Sequence, residues 1–191
     1  MGISLSKGNN VSLTKQAPGL SAVTVGLGWD TRTTSGADFD LDSSAIVCGA
    51  NSQALSGAHF VFFNNKSSPG GGVTHSGDNL TGAGEGDDEQ LKVALGTLGT
   101  EVDRIVVAVS IHEADARGQS FGQVRNAYIR VVDDSSGTEL ARYDLTEDAS
   151  GETAMIFGEL YRHSGEWKFR AVGLGYASGL VGIAKDYGVP L

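Results

Sequence analysis

The chain has a single cysteine, Cys48, among 191 residues, so it cannot form an internal disulfide. Cys48 lies in the run SAIVCGA, which is typical of a strand, and we expect its thiol to be buried. One cysteine and four separated histidines fall short of the ligands that a structural zinc site uses. Direct reduction or sequestration of a toxic ion by thiols is therefore excluded as the main activity, and an indirect role within a larger assembly is expected.

Long apolar runs and an excess of basic residues are also absent. No apolar run approaches the ~20 residues that span a bilayer, so the sequence predicts no transmembrane segment. The first ten residues, MGISLSKGNN, lack the apolar core of a secretory signal, which predicts a cytoplasmic protein. With 23 acidic and 14 basic side chains the net charge is -9. Such a charge repels phosphate backbones, so direct nucleic-acid binding is not expected.

Short apolar segments between glycine-rich turns predict the fold class. Several of them alternate or are rich in β-branched residues, as strands are. We therefore predict a mainly β protein, a two-sheet β-sandwich with a few short flanking α-helices, formed by one domain over residues 1–191. The two predicted helices lie in GETAMIFGELYRHSG, residues 151–165, and in ASGLVGIAKDYG, residues 177–188. The predicted strands lie in VSLT, VTVGLGW, SAIVCGA, HFVFF, QLKVAL, RIVVAVSI, AYIRVVD, ELARYDL and WKFRAVG.

Acidic residues are concentrated in one alternating stretch. Asp38, Asp40 and Asp42 alternate with Phe39 and Leu41, so on an extended strand the three carboxylates face one way. Neighbouring carboxylates ~7 Å apart repel by about 2 kcal/mol at an effective dielectric constant near 20. A hydrated surface strand or pairing with basic side chains would be an alternative, but basic residues are scarce nearby. Divalent cations are the simpler compensation.

Two further groups supply the oxygen ligands that calcium prefers. One is an asparagine pair after an apolar strand, and the other is the glycine-rich acidic loop GDNLTGAGEGDDEQ, residues 77–90. Two residues ~13 Å apart on a strand, Asp38 and Asp42, cannot share one ion, which favours two calcium ions that share Asp40. One ion, or magnesium, remains an alternative. The predicted metal ligands are Asp38, Asp40, Asp42, Asn64, Asn65, Asp78, Glu85, Asp87, Asp88 and Glu89.

The sequence does not match several known metal-binding and catalytic motifs. The stretch DFDLDS begins like an EF-hand loop, but Ser43 stands where that loop needs glycine and Gly49 where it needs glutamate. The stretch IHEADA lacks the second histidine of a zinc protease, since Ala116 occupies its position. The sequence has no G-x-S-x-G elbow and no P-loop. Serine hydrolysis and nucleotide cleavage are therefore not expected, and a metal-assisted hydrolase and a purely structural calcium ion are alternatives to a calcium-dependent interaction module.

Long motifs along the chain resemble the TerD family of tellurium-resistance and general-stress proteins. They include VGLGWD, DFDLDSSA, FFNN, VTHSGDNLTGAGEGDDEQL, SIHEADARGQSFGQVRNAYIRVVD and ELARYDLTEDASGETAMIFGELYRHSGEWKFRAVGLGY. The resemblance extends from about Leu5 to Tyr176. It implies a calcium-binding β-sandwich with flanking helices, found in bacterial operons for resistance to tellurite and other chemical stresses, without catalytic activity. The residues that match the family's calcium-binding segments best are Asp40, Asp42, Asp78, Asp87, Asp88 and Glu89.

The expected partners are other proteins of a stress-resistance assembly. Two bound calcium ions would add +4 at the acidic residues and change the formal charge from -9 to -5. That end of the protein could then attract phosphates or acidic lipids. Action at the inner face of the membrane is therefore a further expectation.

Overall fold

The structure is a computed structural model that describes residues 2–77, 79–145 and 151–190. Within these ranges the strands form two six-stranded sheets. The first sheet contains, in spatial order, β1 (Ile3–Ser4), β10 (Glu139–Asp144), β9 (Tyr128–Asp133), β3 (Val23–Gly28), β7 (Glu89–Val93) and β6 (Val73–His75). The second contains β2 (Asn10–Ser12), β12 (Glu166–Tyr176), β11 (Ala154–His163), β8 (Arg104–Ile111), β4 (Leu41–Cys48) and β5 (Phe60–Val61).

Three short α-helices flank the sheets in the described ranges: α1 (Leu13–Gln16), α2 (Ala114–Arg117) and α3 (Gly179–Asp186). On the outer face of the second sheet, Ile183 and Ala184 of α3 join one buried cluster with Val106 and Ala108 of β8. Alternate residues of β8 face the first sheet, so this strand is buried on both faces. None of the helices in the described residues has the length and apolar character needed to cross a membrane.

The main core lies between the two sheets. It is formed by every second residue of the strands, because alternate side chains face inward. In β9 the buried positions alternate with half-buried ones, so one face covers the core and the other faces outward. Val25 and Leu27 of β3 and Leu91 of β7 extend the same core. This architecture confirms the predicted mainly β, two-sheet fold with short helices.

One predicted helix is confirmed and the other is wrong. The segment 177–188 contains α3, but 151–165 contains the strand β11, which forms a hairpin with β12. A register shift between Ile156 and Gly158 marks a bulge in β11. Because of it, the inward-facing residues Met155, Phe157 and Leu160 are spaced by two and then by three positions. The step of three from Phe157 to Leu160 breaks the alternation of a strand and resembles one step along a helix face.

The strand ends place the acidic segments at one end of the sandwich. Leu27 near the end of β3 pairs with Glu89 at the start of β7. In the other sheet, Leu41 at the start of β4 pairs with Ile111 at the end of β8. Hydrogen bonds from Trp29 to Phe39 and from Ser43 to Glu89 connect these ends. We call the region formed by residues 29–30, 38–43 and 79–89 the acidic end.

Candidate functional site

Trp29 connects the two acidic segments of this end. Its side chain is buried, and the indole N–H donates a 3.1 Å hydrogen bond to the carbonyl of Phe39. Its backbone N–H donates a 3.0 Å hydrogen bond to the carboxylate of Asp88. The same tryptophan is therefore hydrogen-bonded both to the stretch around Asp38–Asp42 and to the glycine-rich loop.

Asp88 carries a charge that its surroundings do not fully compensate. Its Oδ1 accepts a 2.8 Å hydrogen bond from the side chain of Asn79. Burial raises the pKa of Asp88, the hydrogen bond from Trp29 lowers it, and nearby negative charge raises it further. The carboxylates that supply this charge are those of Asp87, Glu89 and Asp30. A cation beside Asp88 would offset both the burial and the repulsion.

Glu89 lies in the interior, between the two sheets. Its Oε2 accepts a 2.6 Å hydrogen bond from the backbone N–H of Ser43 and lies 3.5 Å from Nε2 of His75. The same ring nitrogen lies 3.1 Å from the hydroxyl of Ser43. Glu89 is 2% exposed, and its Oε1 is buried without a hydrogen bond from any described residue. One carboxylate oxygen thus joins the sheets while the other has its polar requirement unmet.

Asp87 lies on the opposite, outer face of the first sheet. Arg130 binds it with two N–H groups, at 2.7 Å from Nε to Oδ1 and 3.1 Å from Nη2 to Oδ2. The hydroxyl of Tyr128 donates a further 3.1 Å hydrogen bond to Oδ1. Burial and the neighbouring Asp87 charge raise the pKa of Tyr128 to about 12. Gly26 below it leaves the room that this carboxylate occupies, because a Cβ there would overlap Asp87.

The stripe from Asp38 to Asp42 is only partly a strand, since β4 begins at Leu41. Phe39 and Leu41 are buried in the core, as the alternation predicts. Asp40 is also buried, and its carbonyl accepts a 2.8 Å hydrogen bond from the backbone of His112. Oδ2 of Asp42 lies 3.6 Å from Nδ1 of His112. Asp38 is exposed, outside regular structure.

The other predicted ligands are less concentrated. Asn64 is exposed in a turn, and Glu85 is exposed in the glycine-rich loop. The side-chain N–H groups of Asn65 donate to the carbonyls of Phe60, at 2.6 Å, and Ala58, at 3.1 Å. Asn65 therefore stabilises the turn after β5. Asp78 lies outside the described residues.

At the acidic end Asp88 has Glu89, Asp87 and Asp30 as its negatively charged neighbours. The carboxylate of Asp42 lies instead beside His112, and the other predicted ligands lie in different surroundings. Among the described residues, no three or more histidine, cysteine, aspartate or glutamate side chains form a metal-binding group. Calcium binding stays a prediction. Sequence reasoning missed the role of His75 and Glu89 in joining the sheets. Their inward positions in the alternating patterns of β6 and β7 are the signal that could have indicated it.

Comparisons with known proteins agree with this fold. The TerD domain family model matches residues 1–187. The chain is 60% identical over 189 residues to tellurium resistance protein TerD of Serratia marcescens, covering 99% of this chain and 98% of that one. It is 56% identical over 190 residues to general stress protein 16U of Bacillus subtilis, covering 99% and 98%. A solved homologue of telluride resistance protein (TerD) from Streptomyces coelicolor superposes with a TM-score of 0.68 at 28% identity, covering 90% of this chain and 99% of that one.

Proposed function

The chain belongs to the TerD family of tellurium-resistance and general-stress proteins, and we propose that it acts there as a calcium-binding, non-catalytic interaction module. Its relatives are named for resistance and stress responses. The proposal adds the ion and the mode of action to that family membership. It also includes a cytoplasmic location and protein partners within a stress-resistance assembly.

The buried Oε1 of Glu89 is the observation that carries the proposal. A buried carboxylate oxygen that accepts no hydrogen bond from the described residues is costly, and a bound cation would satisfy it. Burial raises the pKa of the adjacent Asp88, and neighbouring carboxylates raise it further, so positive charge beside it would be favourable. The donors at this end are carboxylates and carbonyls, which suit calcium better than softer metals.

Asp88 and Glu89 would hold calcium, with Asp40, Asp42 and Asp78 as further predicted ligands. Asp87 would act differently, because Arg130 already neutralises it, and it would fix the loop from the outer face. When bound, the ions would supply the positive charge that this end lacks. The loop of residues 79–88 would then be held against the sheet end and present an ordered surface to a protein partner.

Titration calorimetry on chelator-stripped protein tests the proposal. We expect saturable calcium binding, a calcium-dependent rise in Tm, and weaker binding of magnesium. Asp88→Asn should reduce calcium affinity at least tenfold, about 1.4 kcal/mol. Asp87→Asn should have a much smaller effect on calcium binding, and Asp115→Asn, at an exposed position of α2, should have none.

If the addition of calcium produces no heat and no change in Tm, the proposal is refuted. The same samples distinguish an ion that regulates a surface from one that only maintains the fold. Stripped protein that stays folded and rebinds calcium supports regulation. Stripped protein that unfolds indicates a structural ion and contradicts the regulatory part.

A further inference from the structure

A small pocket next to the acidic end is lined by two arginines, Arg32 and Arg125, together with Asp30, Thr31, Thr33 and Gln123. Its cavity volume is about 270 Å³. We propose that this pocket binds a small phosphate-type oxyanion, either inorganic phosphate or a small phosphomonoester. The inference goes beyond the proposed calcium function and does not depend on it.

A backbone hydrogen bond connects the two segments that line the pocket, residues 30–39 and residues 122–125. The backbone N–H of Asp30 donates a 3.0 Å hydrogen bond to the carbonyl of Arg125. Deeper in the protein, the side chain of Gln119, which is buried, donates to the carbonyls of Ala37, at 2.8 Å, and Asp38, at 3.2 Å. The pocket is therefore formed by the fold and needs no closing motion to assemble.

Arg32 is held in a fixed orientation. Its Nε donates a 3.0 Å hydrogen bond to the hydroxyl of Thr34, and its Nη1 donates a 2.9 Å hydrogen bond to the carbonyl of Ala37. The guanidinium carbon lies 5.1 Å from the centre of the Phe39 ring. Since these contacts already restrict the side chain, little rotamer entropy remains to be lost when an anion binds. Nη2 has no acceptor among the described residues.

Arg125 is the arginine whose guanidinium has no hydrogen bond or ion pair with a described residue. Arg32 has its hydroxyl and carbonyl acceptors. The other arginines that donate to described residues are Arg104, Arg117, Arg130, Arg142, Arg162 and Arg170. Arg125 is exposed and faces the pocket that Arg32 also lines. Its donors are thus available to a ligand.

The charges and donors select a class of ligand. The charged residues that line the pocket are Arg32, Arg125 and Asp30, so the pocket has a net charge of about +1. The whole protein has a net charge of -9. Guanidinium groups bind tetrahedral oxyanions through paired N–H donors, and threonine hydroxyls can donate to the remaining oxygens. Asp30 already accepts a 2.6 Å hydrogen bond from Asn126 and repels a fully ionised ligand. It therefore favours an oxyanion that keeps a proton or carries a neighbouring hydroxyl.

The volume limits the size of the ligand. A cavity of about 270 Å³ lies just below the usual range of roughly 300 to 1,000 Å³ for pockets that enclose drug-sized molecules. Inorganic phosphate and a three-carbon phosphomonoester fit within such a volume. The pocket therefore suits a compact anion.

Backbone amide NMR spectra recorded during a titration with inorganic phosphate test this inference. The buffer contains a calcium chelator and a constant ionic strength, so that failure of calcium binding cannot affect the result. We expect saturable shifts at residues 30–39 and 122–125, and none with chloride. A parallel titration with glycerol 3-phosphate shows whether an ester is bound more tightly than free phosphate.

Variants make the test specific. Arg125→Gln should weaken phosphate binding about tenfold, because one charge-assisted interaction is removed, and Arg117→Gln on α2 should leave it unchanged. Arg32→Lys keeps the charge but loses the planar fork and should also weaken binding. Asp30→Asn should strengthen binding. Shifts that scatter over the surface, or that are equal in the Arg125→Gln protein, would overturn the inference.

Discussion

The carboxylate of Glu89 accepts a 2.6 Å hydrogen bond from the backbone N–H of Ser43, so a side chain of one sheet is fixed to a strand of the other. His75 lies against both groups. This contact joins the start of β7 to the start of β4 inside the sandwich. The acidic end is therefore partly organised by the fold itself, before any ion is considered.

Truncation of Glu89 should show how much this contact stabilises the fold. Glu89→Ala removes a buried charged acceptor and leaves the Ser43 N–H unsatisfied, so we expect a loss of about 3 kcal/mol in the free energy of unfolding. Glu89→Gln retains an acceptor oxygen and should cost about 1 kcal/mol. Urea unfolding in chelator measures both. Equal losses in the two variants would contradict the role of the hydrogen bond.

The pairing of Arg130 with Asp87 should be a second stabilising contact at the loop. The Asp87 side chain is 2% exposed and that of Arg130 is 31% exposed. We therefore expect Arg130→Gln to cost about 2 kcal/mol, less than for a fully buried pair because solvent screens the arginine. Arg117→Gln breaks a surface pair with Glu113 and should cost under about 0.5 kcal/mol.

A double-mutant cycle with Asp87→Asn isolates the interaction between these two residues. We expect a coupling free energy of about 1 kcal/mol or more, since the two side chains form a bidentate contact. Urea unfolding of the wild type, both single variants and the double variant gives the value. Additive effects would show that the contact contributes nothing of its own.

Cys48 should be chemically inert in the native protein. Its side chain is fully buried, and burial raises the pKa of the thiol to about 12. Because the thiolate is the reactive form, alkylation by iodoacetamide at pH 8 should proceed only as fast as the protein opens. Mass spectrometry of native and urea-unfolded samples measures the rates. Comparable rates in the two samples would refute this account of the thiol.

Asp133 should make stability depend on pH. The hydroxyl of Ser136 and the backbone N–H and hydroxyl of Ser135 donate to its carboxylate and lower its pKa. A lowered pKa in the folded state stabilises the protein above the unfolded pKa, and that stabilisation is lost as pH falls through the folded pKa.

The Asp133→Asn variant checks this dependence. It should be less stable than the wild type at neutral pH, and the difference should shrink as pH falls below about 4, near the unfolded pKa of an aspartate. Urea unfolding across this pH range gives both curves. A difference that stays constant with pH would mean that ionisation of Asp133 is not involved.

The two-sheet fold class could be predicted from the alternation of apolar and polar residues and from the turn residues. Both signals arise within short segments and do not depend on contacts between distant parts of the chain. The same reasoning fails at β11, where the bulge at Gly158 changes the spacing of its inward residues. The core positions of Phe39 and Leu41 could be predicted for the same local reason. The pairing of Asp87 with Arg130, 43 residues away in sequence, depends on strand order, which no local pattern determines.

Terbium luminescence excited through tryptophan measures most directly whether an ion binds at the acidic end. Terbium replaces calcium at oxygen sites and emits when a nearby indole transfers energy to it. Trp29 lies at this end. Trp167 lies in the β11–β12 hairpin, beyond the other end of β4, which is eight residues or about 25 Å long.

We predict sensitised emission that calcium displaces, that Trp29→Phe abolishes and that Trp167→Phe leaves intact. Emission that persists in the Trp29→Phe protein, or that wild-type protein never shows, would contradict the proposal of an ion at this end.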